Sequence, residues 1–240
     1  MRLNGRNVVV VGVGPGLGSA VVYLALREGA SVYAFARNRQ FLEELRAAMS
    51  SYGPLRIGAH DFSKLEEALA AAEEVKRALG QIHGLVVTAG GYVAGGVEEL
   101  DESSLEDMLS RNLKAHLYAV KAFLPLMGRG SSIVLTAATG GTYALWRNHL
   151  AYVASKAALA KAAEALARDL LERGIRVNAV APGGMAKDFR PGRQYAAPPL
   201  GSPQVPPEEV AKVIVWLLTD EASWVTGAVI PVDGGRRLKE

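Results

Sequence analysis

A chain of 240 residues, 50% hydrophobic and 21% charged, suits one globular α/β domain with a large core, and its net charge of +3 is spread without a basic block for nucleic acid. The absence of cysteine excludes disulfides, thiolate catalysis and cysteine metal sites, and His60, His83, His116 and His149 lack metal-ligand spacing. No apolar run reaches the ~18 residues of a membrane span, and Met1-Arg2-Leu3-Asn4-Gly5 leads into a strand without a signal-peptide pattern, so the sequence reads as cytoplasmic with no membrane partner.

Asn7 to Val11 is a continuous β-branched run, the pattern of a buried parallel strand. Gly12-Val13-Gly14-Pro15-Gly16-Leu17-Gly18 follows, then a helix over Ser19 to Arg27 stopped by Gly29. Strand, glycine loop and helix form the context in which backbone N–H groups and a helix dipole hold a pyrophosphate. The spacing is Gly12-x3-Gly16-x-Gly18, because G-x-G-x-x-G counted from Gly12 puts Leu17 in its last place. A second strand spans Ser31 to Ala36. An NAD-type site places an acid near its end to bond the ribose 2′-hydroxyl. Here the residues are Ala36-Arg37-Asn38-Arg39, and the Arg37 guanidinium suits a 2′-phosphate. The expected cofactor is therefore NADP(H), with NAD(H) as the alternative.

Leu55 to Ala59 reads as strand three, followed by His60-Asp61-Phe62-Ser63 and a Ser63-x-x-Glu66 capping box for a helix ending near Leu79. Asp61 sits either as part of that cap or where an adenine amino group is bonded. Ile82 to Thr88 is strand four, and Ala89-Gly90-Gly91 offers the small residues that let a ribose or nicotinamide lie against backbone. Ser104-x-x-Asp107 is expected to cap a long helix carrying Asn112 and ending near Met127. Ile133 to Ala138 is strand five, and Thr139 to Leu150 is a loop.

Tyr152-Val153-Ala154-Ser155-Lys156 opens an Ala-rich helical run from Ser155 to Ala167. Residues four apart share a helix face, so an ammonium at Lys156 is expected to lower the Tyr152 pKa from its reference near ~10 and suit it to proton transfer. Ile175 to Val180 is strand six, followed by Ala181-Pro182-Gly183-Gly184. Met185 to Pro207 is Pro-, Gly- and Arg-rich without a period, the pattern of a lid. A helix over Val210 to Thr219 and a strand over Ala228 to Val232 close the chain. The alternation predicts an α/β fold, a single-domain Rossmann-type doubly wound parallel sheet of about seven strands with helices on both faces.

With these features in order, the whole chain resembles the short-chain dehydrogenase/reductase family. The resemblance rests on Gly12-x3-Gly16-x-Gly18, Asp61, Ala89-Gly90, Asn112, Tyr152-x3-Lys156, Pro182-Gly183 and Val232-Asp233-Gly234-Gly235. It implies hydride transfer between a carbonyl and an alcohol with a nicotinamide cofactor, and a homotetramer or dimer. Tyr152 would be the acid/base, with Lys156 on the nicotinamide ribose and Asn112 on a relay water. The cofactor would meet Gly12, Gly14, Pro15, Gly16, Leu17, Gly18, Arg37, Asp61, Phe62, Ala89, Gly90, Tyr152, Lys156, Pro182, Gly183 and Met185.

The departures are Val11 for a threonine, Val87-Thr88 for Asn-Asn, Ala186-Lys187 where a threonine commonly bonds the carboxamide, and no serine at the end of strand five. Counting along that strand places the serine position at Ala138, whereas counting back from Tyr152 gives Thr139, expected to stand in as a catalytic hydroxyl. Without that hydroxyl, a cofactor-binding sensor with little turnover is the alternative, while Asn112, Tyr152 and Lys156 favour the enzyme. A dehydratase or epimerase has no residue of its own in support. Trp146, Met185 and Tyr195 suggest a partly apolar substrate pocket, and Arg190 and Arg193 are candidates to grip an acidic group, solvated charges being the alternative.

Overall fold

The computed structural model describes residues 1–239. Strands β1 (Asn7–Val11), β2 (Ser31–Ala36), β3 (Leu55–Ala59), β4 (Ile82–Val87), β5 (Met127–Thr136), β6 (Arg176–Pro182) and β7 (Val229–Val232) form one parallel sheet in the order β3-β2-β1-β4-β5-β6-β7. Side chains alternate across a sheet, and both faces of β1 are apolar. Val9 and Val11 join one core with Phe35, Ala71, Phe123 and Leu159, whereas Val8 and Val10 join the other with Val21, Leu42 and Ile214. Helices α1 (Leu17–Arg27), α2 (Arg39–Met49) and α7 (Pro207–Leu218) cover the second core. The first lies under α3 (Leu65–Leu79), α5 (Ala115–Phe123) and α6 (Leu150–Asp169). The chain steps outward from β1 to β3 and returns to place β4 beside β1, which opens a crevice at the carboxyl ends of those two strands.

Several boundaries differ from the sequence reading, each for a local reason. Helix α1 begins at Leu17, two residues early, since Gly18 and Ser19 are already inside it. The sequence reading names no helix after β2, yet the Asn38 side chain accepts the Phe41 N–H and caps α2. At α3 the N-cap is Lys64, not Ser63, because Ser63 donates both N–H and hydroxyl to the Asp61 carboxylate. The long helix is capped by Asp101, with Ser104 in the third position of the box rather than the first, and begins as α4 (Glu102–Leu109). It passes through a π-helical turn, Ser110–Lys114, before α5. Strand β5 starts earlier and ends at Thr136, leaving Ala137 to Thr139 beyond it. Gly29 does stop α1, with φ 91° and its N–H on the Leu26 carbonyl at 2.9 Å.

Candidate active site and cofactor crevice

The glycine turn has little room for other residues. A Cβ on Gly12, whose φ is +82°, would lie 2.3 Å from the Ala89 nitrogen, and one on Gly18 would lie 2.6 Å from the Val13 Cα. Gly12 thus lets β1 and β4 close together at their carboxyl ends, and Gly18 lets α1 press on the turn. Nothing lies within 4 Å of a Cβ placed on Gly14, so that side of the turn is open. The first turn of α1 carries no acid, and its N-cap Gly16 supplies no side-chain hydrogen bond, so the positive end of the helix is uncompensated. The adjoining crevice has a volume of about 440 Å³ and runs from Gly12 and Gly14 past Arg37 and Asp61 to Ala89 and Gly90. An open turn, a bare helix N-terminus and a crevice of this size fit a nicotinamide dinucleotide.

Arg37 is exposed at the crevice edge and makes no hydrogen bond or ion pair among the described residues. Asp61 lies opposite. Burial raises its carboxyl, but the Ser63 hydrogen bonds, at 2.7 and 3.0 Å, together with the Arg37 charge hold it below the usual range. One Asp61 oxygen is therefore engaged locally, and its N–H is held by Glu67 at 2.7 Å. Phe62 is buried against Phe35 and Phe123 while also lining the crevice.

Tyr152 and Lys156 lie one turn apart on α6, as their spacing requires. Lys156 is buried, and its Nζ donates to the Thr136 carbonyl at the end of β5 at 2.7 Å. Burial pushes this ammonium down to about 7. The Tyr152 phenol is pushed up to about 12, by burial first and by the Tyr92 phenol second. The expected lowering of Tyr152 by Lys156 is absent: a shared helix face does not fix where a long side chain ends, and this one reaches the strand. At neutral pH the phenol accordingly keeps its proton.

Asn112 is fully buried inside the π-helical turn. Its Oδ1 accepts the Gly91 N–H at 2.9 Å, and its Nδ2 donates to the Gly91 carbonyl at 3.2 Å and to Ser155 Oγ at 3.0 Å. The Ser155 hydroxyl in turn donates to the Tyr152 carbonyl at 2.8 Å. The extra residue of a π-turn, frequent at functional sites, here turns the amide inward to tie the end of β4 to the first turn of α6. A Cβ on Gly90 would lie 3.0 Å from Asn112 Oδ1 and 3.5 Å from Lys156 Nζ, so these groups meet at one point.

Thr139 is buried, and its hydroxyl donates to the Pro182 carbonyl at 3.2 Å, the same oxygen that takes its own N–H at 2.9 Å. No hydrogen bond joins it to Tyr152 among the described residues. Ala138 is also buried beyond β5 and has no hydroxyl to offer.

The surroundings of Tyr152 include Trp146, named from the sequence as a pocket residue, and Tyr92 and His149, which the sequence reading misses. Trp146 stacks on Tyr152 at 5.9 Å with 10° between planes, and Tyr92 meets it edge-on at 5.2 Å. Tyr92 hydrogen-bonds His149, whose ring also touches Trp146. Trp146 is seated on Gly140, where a Cβ would lie 2.5 Å from the indole. His149 stands three residues before Tyr152, a helical spacing visible in the sequence once Tyr152 is singled out. The buried His116 carries no such signal. Its Nε2 donates to the Ala89 carbonyl at 2.9 Å while its Nδ1 has no partner, and burial with the Lys156 charge pushes it down to about 3.

The segment after β6, which the sequence reading takes for a lid, is irregular. Its ends meet where Met185 pairs with Val205, and the Phe189 N–H donates to the Pro15 carbonyl at 3.1 Å. Arg193 is not available to a substrate. It forms a two-pronged pair with the buried Glu208, at 2.6 and 2.9 Å, and a contact with Asp188 at 2.8 Å. Tyr195 points to Glu209 rather than to Tyr152, whereas Arg190 is exposed. Asp233, in the terminal Val232-Asp233-Gly234-Gly235, accepts the Gly235 N–H at 2.9 Å and the Arg237 guanidinium at 2.8 Å.

A family model described as enoyl-(acyl carrier protein) reductase matches residues 12–237. The chain is 32% identical to the 2-(S)-hydroxypropyl-CoM dehydrogenase 3 of Xanthobacter autotrophicus, over 98% of this chain and 97% of that one. It is 31% identical to the 3-oxoacyl-acyl-carrier-protein reductase FabG of Thermotoga maritima, over 98% and 99% of the two chains. A solved short-chain dehydrogenase/reductase from Serratia marcescens superposes with a TM-score of 0.90 at 27% identity, over 99% of this chain and all 100% of that one.

Proposed function

Since the chain belongs to the short-chain dehydrogenase/reductase family, we propose that it is an NADP(H)-preferring oxidoreductase that interconverts a ketone or aldehyde with its alcohol. The observation that carries the reading is that Tyr152 and the buried Lys156 stand one turn apart on α6, with Lys156 Nζ 3.5 Å from where a Cβ on Gly90, in the lining of the glycine-turn crevice, would lie. The bound nicotinamide would supply or accept the hydride. Tyr152 gives its proton to the carbonyl oxygen on reduction and recovers it on oxidation. Lys156, near neutrality, is the group able to make good that proton, and Asn112 and Ser155 hold the helix turn in place. Arg37 supports the cofactor preference, because it is the one arginine of the crevice rim without an acidic hydrogen-bond partner, Arg111 being tied to Asp107 at 2.8 Å.

Substrate identity is open to a direct assay. A panel of ketones, aldehydes, alcohols and an enoyl thioester, followed by the absorbance of reduced nicotinamide with NADPH and NADH, should show carbonyl reduction faster with NADPH. Turnover confined to the enoyl thioester would sink the carbonyl assignment. A second reading, a cofactor-binding regulator with little turnover, draws support from Thr139, whose hydroxyl is spent on Pro182 rather than on the reacting oxygen. The family habit of tetramer formation and a cytoplasmic setting belong to the same proposal. The almost fully exposed Trp224, between α7 and β7, gives an apolar surface for assembly, which light scattering would measure.

A further inference from the structure

Two loops meet beside Tyr152 and are fastened to each other. The Gly95 N–H donates to the Asn148 carbonyl at 2.6 Å, and the Leu150 N–H donates to the Gly95 carbonyl at 2.9 Å. Asn148 has φ 58°, the only positive φ outside glycine among the described residues, in a region that asparagine tolerates better than most side chains. His149 follows, and its Nε2 shares a hydrogen bond with the Tyr92 hydroxyl. The Tyr92 ring stands edge-on to Tyr152 at 5.2 Å, and its phenol is near enough to help push the Tyr152 phenol up. No hydrogen bond joins the two hydroxyls among the described residues, so each is left to meet a third oxygen.

The other imidazole nitrogen decides what Tyr92 can do. His149 Nδ1 lies 2.5 Å from the Arg147 carbonyl, which can only accept, so Nδ1 carries a proton. In the neutral ring Nε2 is then bare, and Tyr92 spends its proton on it. In the imidazolium Nε2 donates to Tyr92 instead, and the Tyr92 O–H is free to donate elsewhere. The rings facing the imidazole are Tyr92 and Trp146. Of the charged groups on the elements around it, Arg147 is exposed, and Glu99 is exposed and accepts the Gly96 N–H at 2.8 Å. On α6, Lys156 is turned to the Thr136 carbonyl. None of these charges bonds the imidazole among the described residues, so Tyr92 is its side-chain partner.

We propose that Tyr92 is the second hydroxyl at the reacting oxygen and that His149 is its positioning residue, whose protonated form frees the Tyr92 O–H to donate. The assignment rests on the carbonyl–alcohol reading above. It fills the role that Thr139, with its hydroxyl on the Pro182 carbonyl, does not. In reduction the hydride adds to the carbonyl carbon and Tyr152 gives its proton to the oxygen. Tyr92 donates a hydrogen bond to the charge developing on that oxygen and keeps its own proton. With a neutral His149 that bond is lost, because the Tyr92 proton is on Nε2.

The test is the rate of carbonyl reduction by the wild type, Tyr92→Phe, His149→Phe and the double variant, on the acid and alkaline sides of neutrality, with NADPH affinity measured for each. Tyr92→Phe should lower kcat by about 10²-fold on the acid side, with NADPH affinity unchanged. The loss should shrink toward none on the alkaline side. Titration of Tyr152 and Lys156 is common to both proteins, so the ratio of their rates isolates the Tyr92–His149 pair. In the His149→Phe background, the effect of Tyr92→Phe should no longer change with pH. An unchanged kcat in Tyr92→Phe overturns the proposal, as does a rise in KM alone, which would make Tyr92 a wall of the pocket. A loss of equal size at every pH overturns the part given to His149. Wild-type turnover that Tyr92→Phe leaves intact removes this proposal and leaves the carbonyl–alcohol reading standing. Wild-type protein that reduces no carbonyl removes both.

Discussion

Tyr152 and Lys156 show how far single residues can be read. Their spacing fixed a common helix face, and that much holds. The direction of the pKa shift did not follow, because Lys156 Nζ is turned to the Thr136 carbonyl and both groups are desolvated. With the phenol pushed up to about 12 and the ammonium down to about 7, reduction finds its acid protonated across the neutral range. Oxidation must shed a proton, so its rate should rise through an apparent value nearer the Lys156 figure than the free phenol value of ~10. The phenolate band should stay absent from that pH range in ultraviolet titration. A phenolate appearing there in the wild type and missing in Tyr152→Phe would contradict this assignment. Arg37→Ala should cost on the order of 1.5–3 kcal/mol of NADPH binding and almost none of NADH binding, read from the two dissociation constants. Thr139→Val should cost about 1 kcal/mol in urea unfolding with little change in kcat, because its hydroxyl serves the Pro182 carbonyl. A hundredfold fall in kcat would return Thr139 to the catalytic set.

At the scale of the element, the glycine turn was legible because strand, turn and helix each leave a separate mark. Four valines in a row make the strand, and the turn tolerates no Cβ at Gly12 or Gly18. Gly12→Ala combines a positive φ with a 2.3 Å approach to Ala89, and should destabilise the fold by about 2–4 kcal/mol and abolish dinucleotide binding. Circular dichroism melting and fluorescence titration would measure the two effects. A Gly12→Ala protein that melts and binds like the wild type would show that the crevice does not close around this contact. The helix carrying Asn112 was legible only in part. Its cap was assigned to Ser104 because serine followed by an acid three residues on matches the box, whereas Asp101 makes the same box with serine in the reciprocal place. The π-helical turn left no trace, since an extra residue in a helix alters hydrogen bonding and not composition. The aromatic group of Tyr92, Trp146 and His149 was scattered over two loops, and only the fold assembles it beside Tyr152.

For the whole molecule, the strand order reverses direction between β1 and β4, and the candidate groups gather at the carboxyl ends of the strands beside that switch point. The same packing buries charge-bearing groups below the site, with consequences for stability. His116 is pushed down to about 3, so protons bind the unfolded chain more readily than the folded one. Its contribution is intact above the ordinary histidine value of ~6.5 and is lost as pH falls from there toward the folded value. His116→Leu should flatten that acid limb by up to one proton, about 1.4 kcal/mol per pH unit, in unfolding curves taken across the range. An identical slope in both proteins would place the acid sensitivity elsewhere.

The central claim is that this crevice and Tyr152 together perform hydride exchange between a dinucleotide and a carbonyl. The measurement that bears on it most directly is NADPH consumption over a carbonyl panel by the wild type and by Tyr152→Phe, with NADPH affinity determined for both. The account predicts turnover by the wild type, loss of at least nine-tenths of kcat in Tyr152→Phe on the order expected for a lost general acid, and equal NADPH affinity in the two proteins. NADPH binding without turnover of any carbonyl in the wild type, or full turnover by Tyr152→Phe, would contradict it.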